Sequence, residues 1–144
     1  MNWRNITIAG LMLMITGCGA DGPQAIRYGD EMCEHCKMTI MDDRFGAEMI
    51  TPKGKVFKFD AVECMVGYTH TYLEVNKGEK ISVYVTDYAV PGKLVAGESA
   101  VYLSGDAIKS PMGGHLAAFE NKGNGAALQE ETGAVWKSWE ELIK

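Results

Sequence analysis

The stretch "VFKFDAVECMVGYTHTYLEV" changes its hydrophobic period in the middle, which limits the chain to folds that join a strand directly to a helix. Over Val56–Asp60, Val56 and Lys58 alternate with Phe57 and Phe59, the two-residue period of a half-buried strand. From Val62 the pattern becomes helical: Val62, Met65, Val66 and Thr69 share a face, with Leu73 one turn further. Asp60 is a good N-cap residue and Glu63 follows three positions on, as in a capping box, so a helix is expected over about Ala61–Glu74. Upstream, "FGAEMIT" (Phe45–Thr51) ends at the Pro/Gly turn "PKGK" and pairs with the Val56 run as a hairpin. Downstream, "NKGEK" closes the helix and the β-branched "ISVYVTDY" (Ile81–Tyr88) forms a strand. The order is β-β-α-β.

The second half repeats the grammar. "SAVYLSG" and "GGHLAAFEN" read as strands, "GNGAALQEETG" as a short helix with a Gly stop, and "AVWKSWEELIK" as a strand turning into a terminal helix. "HLAAFENKGNG" shares a slight likeness with "GAEMITPKGK", consistent with an internal duplication.

The N-terminus reads as an export signal. Arg4 supplies a positive start, and Ile6–Ile15 form an apolar run well short of the roughly 20 residues of a membrane span. "ITGC" then resembles a bacterial lipobox, which implies residues 1–17 as signal peptide and Cys18 as the lipidated first mature residue. Gly19 after it favours an outer over an inner membrane. "GADGPQAIRYGD" lacks periodicity and is expected to be a tether over residues 18–30. Without residues 1–17, 127 residues remain, enough for one domain or two very small ones. The net charge is -5 and no Lys/Arg cluster occurs, so nucleic acid is not an expected partner.

The chemistry lies in "MCEHCKMTIM", Met32–Met41. With Cys18 lipidated, Cys33, Cys36 and Cys64 are an odd number of thiols and not a disulfide framework. Cys33-x-x-Cys36 has thioredoxin-like spacing, but it precedes the first strand and no βαβ lead-in surrounds it. Structural zinc would need Cys33, Cys36, Cys64 and one of His35, His70 or His115. Cu(I) suits the soft composition better: in an extended segment Cys36 and Met38 project to the same side and offer a thiolate and a thioether to one ion. Met49 and Met65 fit the core by their periodicity. Cys64 reads as a buried apolar thiol, His70 as structural, and His35 as facing water.

Taken together, the lipobox, "CEHCKMTI", "DRFGAEMI", "FKFDAVECMVGY" and "SPMGGHLAAF" resemble the NosL family, copper-binding lipoproteins of nitrous oxide reductase assembly. The likeness runs from Cys18 nearly to the C-terminus. It implies an α+β fold of two small β-β-α-β units in tandem, related to the core of organomercurial lyases, over residues 31–144, with subunits of about 31–90 and 91–144. It implies Cu(I) as cargo, with Cys36 and Met38 as ligands and Cys33 less firmly so. Met112 and His115 of "SPMGGH" come into view as further ligands on a Gly-flanked loop. It also implies membrane attachment through a lipid anchor on the periplasmic side, with nitrous oxide reductase and its ABC-type membrane complex as partners, and no enzymatic activity. Two other functions stay open: a copper-tolerance buffer, and a thiol enzyme. The enzyme would be redox-active, or lyase-like with Cys33, Cys36 and Asp42 or Asp43.

Overall fold

The structure is a computed structural model and describes residues 22–144. The expected signal peptide and Cys18 lie outside the described residues. Four strands, β1 (Ala47–Ile50), β2 (Val56–Phe59), β3 (Ser82–Thr86) and β4 (Leu94–Ala96), form an antiparallel sheet in the order β2-β1-β3-β4, with helix α1 (Val62–Val75) between β2 and β3. The second sheet has the order β6-β5-β7, from β5 (Val101–Ser104), β6 (Leu116–Phe119) and β7 (Val135–Lys137). Helix α2 (Lys122–Thr132) precedes β7, and the short α3 (Trp139–Leu142) follows it. Each sheet therefore contains the same β-β-α-β unit, with its first strand central.

The topology corrects the internal alignment suggested by sequence. "HLAAF" is β6, which occupies the place of β2, not that of β1. The unit boundary also shifts, because β4 adds to the first sheet from beyond residue 90.

Alternation along the strands sets which side is buried. Ala47 and Met49 of β1 face α1, where Val62, Met65 and Thr69 are buried and Thr69 donates to the Met49 sulfur at 3.4 Å. Phe57 and Phe59 of β2 stack against Tyr68 and Tyr72 on the same helix. Both faces of the second sheet are covered. Tyr102, Leu116 and Ala118 join the large core shared with the first unit, while Leu103, Ala117 and Phe119 meet Phe45 and Ile108 in a smaller one. One core thus spans both units, which is how two sheets too small to be stable alone support each other.

The expected tether departs from a free linker. Within the described residues, Ile26 is buried, the Gln24 N–H donates to Glu48 Oε2 at 2.9 Å, and the Gly29 N–H donates to the Ile40 carbonyl at 2.8 Å. Residues 24–31 cover the face of β1 opposite α1. Gly46 is needed there, since a Cβ would meet the Ile26 Cδ1 and the Tyr28 hydroxyl, each at 2.8 Å.

Candidate metal centre

Residues 32–39 form a tight two-stranded knuckle. Met32 bridges Thr39 antiparallel, and the Cys33 N–H donates to the Met38 carbonyl at 2.8 Å. Lys37 takes a left-handed conformation (φ 62°) that turns the chain and lets its N–H reach the Cys33 carbonyl at 3.0 Å. The knuckle docks on the edge of β2 through the Glu34 N–H and the Lys58 carbonyl, 2.8 Å apart. This places Cys33 and Cys36 beside the junction where β2 ends and α1 begins.

That junction supplies two more donors. The capping-box expectation fails here: the N-cap is Ala61, no side chain caps the helix, and both acids are engaged elsewhere. Asp60 turns toward the knuckle, where the Cys36 thiol donates to its Oδ1 at 3.7 Å. Glu63 turns to the second unit. Cys64, in the first turn of α1, points at Cys33. The ligand atoms of Cys33, Cys36, Asp60 and Cys64 all lie within 4.8 Å of one another. An ion bound by sulfur at about 2.3 Å in a tetrahedron holds its donors about 3.8 Å apart, so a contraction of about 1 Å closes this set.

The cluster is poised to carry negative charge. The Cys33 thiol is lowered to about 6, chiefly by the hydrogen bond from Cys64, with further bonds from the N–H groups of Cys36 and Asp60 outweighing its burial. The Cys64 thiol is pushed far up, first because it is the donor to Cys33 and then by burial. Burial raises Cys36, and the neighbouring Cys33 adds to it. The first proton therefore leaves Cys33, before those of Cys36 and Cys64. Asp60, 3% exposed, is the adjacent acceptor.

Cys33 and Cys36 thus meet in one centre, joined by Cys64, which sequence reasoning assigned to the core, and by Asp60, which it assigned to a cap. Cys64 is buried, 2% exposed, and still reaches the cluster. Met38 stands on the knuckle itself, with its side chain 56% exposed. Met112 is 41% exposed on the loop before β6, and His115 ends that loop with Nδ1 2.9 Å from the Ile108 carbonyl. Neither His35 nor His70 belongs to the cluster: the His35 ring lies over Gly67 of α1 and His70 is exposed. The lyase-like acids are displaced as well. Asp42 is tied to Arg44 by a bond of 2.6 Å, which holds its carboxyl below the usual range, and Asp43 is exposed. A surface recess of about 550 Å³ near Leu73, Tyr84 and Trp139 contains none of the thiols.

The second unit carries a polar counterpart of the same site. The Tyr88 N–H donates to Ala118 of β6 at 2.8 Å, as Glu34 does to Lys58 of β2. Both strands end in Phe one residue later, and Asn124 stands five residues past Phe119 as Cys64 does past Phe59. Asp87 then matches Cys33. It is fully buried, and its Oδ2 accepts from Asn124 Nδ2 at 2.9 Å. A hydrogen-bonded pair ties knuckle to helix there, where the first unit has thiols.

Comparison with solved structures finds a similar fold in the crystal structure of the copper chaperone NosL from Shewanella denitrificans. The TM-score is 0.70 at 22% identity, over 83% of this chain and 94% of that one. No curated protein matches the chain in sequence. The NosL family model matches residues 24–144, which takes in the knuckle, both sheets and all three helices, and the chain belongs to the NosL family.

Proposed function

We propose that this protein is a non-enzymatic Cu(I)-binding chaperone that receives copper at the Cys33–Cys36–Cys64 cluster and passes it on. The observation that carries this is the convergence of three free thiols from the knuckle and α1, with Met38 in the same ten-residue stretch. Three soft sulfur donors suit Cu(I) in two- or three-fold coordination. Asp60 accepts the Cys36 thiol hydrogen bond beside the cluster. The exposed thioethers of Met32 and Met38 in the same knuckle suit exchange, because a recipient's ligand can enter before the last protein ligand leaves. The lipobox-like "ITGC" supports attachment through Cys18 on the extracytoplasmic side. The family resemblance supports nitrous oxide reductase, with its ABC-type membrane complex, as the destination.

Asp60 as a fourth donor favours one second reading, a closed tetrahedral Zn²⁺ site. A gene deletion complemented by variant forms separates the two. Under the copper reading, cells lacking the protein make a copper-poor nitrous oxide reductase, the wild type restores it, and the Cys33→Ala/Cys36→Ala/Cys64→Ala form does not. A reductase fully loaded in the deletion strain sinks the delivery role.

A further inference from the structure

Glu63 lies one residue before Cys64, yet it faces away from the thiols and into the second unit. Its Oε1 accepts from the Ser110 hydroxyl and from the Gly114 N–H, the latter at 3.0 Å. The Ser110 Oγ in turn accepts from the His115 N–H at 3.0 Å. One carboxylate oxygen thus closes both ends of the loop Ser110–His115. Gly114 packs so tightly on Glu63 that a Cβ there would meet the Glu63 side chain at 2.7 Å. Two features mark this loop as held, not merely connecting. His115 has φ 58°, the left-handed region disfavoured for residues with a Cβ. The second oxygen of Glu63 is buried without a hydrogen-bond partner.

What the loop carries gives the clamp a purpose. The His115 ring is fixed by its Nδ1 contact with the Ile108 carbonyl, which leaves Nε2 as the free nitrogen. A carbonyl on one ring nitrogen is the usual orienting partner of a histidine that binds metal through the other. Met112 holds an exposed thioether in the same loop. Neighbouring residues of the first turn of α1 thus act on both sides: Cys64 reaches the thiol cluster and Glu63 grips the loop.

We infer that Glu63 is a positioning residue, which holds the Met112–His115 loop at the metal-binding end of α1 so that its thioether and imidazole meet copper in fixed geometry. This rests on the copper reading above. Hydrogen-bond acceptance by one oxygen is what the clamp needs, so Glu63→Gln keeps it and Glu63→Ala removes it.

The test loads full-length wild type, Glu63→Gln, Glu63→Ala and Ser110→Ala with one equivalent of Cu(I). It follows release to a colorimetric Cu(I) chelator, with the Met112 methyl and His115 ring signals observed by NMR. Expected are shifts of both signals on loading the wild type, and near-wild-type behaviour of Glu63→Gln. In Glu63→Ala the shifts are lost and release is about 10-fold faster, the low end of what losing an orienting partner costs. Ser110→Ala, which breaks the link to His115 without emptying the carboxylate site, follows Glu63→Ala and covers the case in which that variant does not fold. If the wild type binds Cu(I) but Met112 and His115 do not respond, or release is unchanged in Glu63→Ala and Ser110→Ala, the inference falls and the thiol site stands. If the wild type binds no Cu(I), both fall.

Discussion

The Lys58 side chain ties the N-terminal segment to β2 beside the knuckle, and replacing it with Met tests that tie quantitatively. Its ammonium donates to the Ala25 carbonyl at 2.8 Å and to both Glu31 oxygens at 3.0 and 2.9 Å, and it sits 3.9 Å from Glu48 Oε1. The Glu48 side chain is fully buried, and among the described residues the other hydrogen bond to its carboxylate comes from the Gln24 N–H. Lys58→Met keeps the apolar stem but strands two carboxylates, one of them in the interior. Removing one partner of a buried charge set costs about 3–5 kcal/mol. A domain of this size loses roughly 3–5 °C per kcal/mol, so the melting temperature should fall by about 10–20 °C. Urea unfolding followed by circular dichroism gives the free energy, and amide exchange should show residues 24–31 opening first. Adding Glu48→Gln to Lys58→Met should recover a large part of the loss, since it removes the stranded charge. A loss under about 1 kcal/mol, or no recovery in the double variant, refutes this account of how the N-terminal segment and the knuckle are held.

Other outcomes follow from the same contacts. Because Cys33 ionises below its ordinary value, its anion contributes stability above the ordinary thiol range, and that contribution is lost as pH falls through about 6; thiolate ultraviolet absorption of the apo protein should fade over that range, and Cys64→Ala should move the transition upward. Burial raises the Glu48 carboxyl, so apo stability should fall as pH rises from the ordinary carboxyl range, and Glu48→Gln should be the more stable form near neutrality, the gap closing in acid, as thermal melts across pH would show. Met38→Ala should weaken Cu(I) binding by one to two powers of ten, about 1.4–2.8 kcal/mol, in a chelator competition, with no change in melting because the side chain is exposed. Asn124→Ala should cost about 1–3 kcal/mol in urea unfolding by leaving Asp87 Oδ2 buried without a partner, and leave copper binding intact.

The repeating frame was legible in the sequence because it rests on local periodicity. The strand at Val56, the helix from Val62 and the Gly133 stop of α2 are each set by burial alternation or turn chemistry within a few residues. Half of the candidate cluster was legible for the same reason, since Cys33 and Cys36 are neighbours. Cys64 and Asp60 were not, because a buried thiol on an apolar helix face and an acid before a helix have commoner explanations. Local grammar read "DAVE" as a capping box, whereas tertiary contacts draw Asp60 to the thiols and Glu63 to Ser110. Gly19–Asp30 looked like a linker for lack of periodicity, but Ile26 and the backbone of Gln24 and Gly29 find partners 11 to 24 residues away in sequence. Strand β4, three residues long, pairs with β3 at the sheet edge and leaves no pattern of its own.

The central claim is that Cys64 completes a thiolate copper site with Cys33 and Cys36. X-ray absorption at the copper edge, on Cu(I)-loaded wild type and Cys64→Ala side by side, tests it most directly. The account predicts a first shell dominated by sulfur in the wild type, and one sulfur fewer in the variant, with copper still monovalent. An unchanged sulfur count in Cys64→Ala, or a shell of nitrogen and oxygen alone in the wild type, contradicts it.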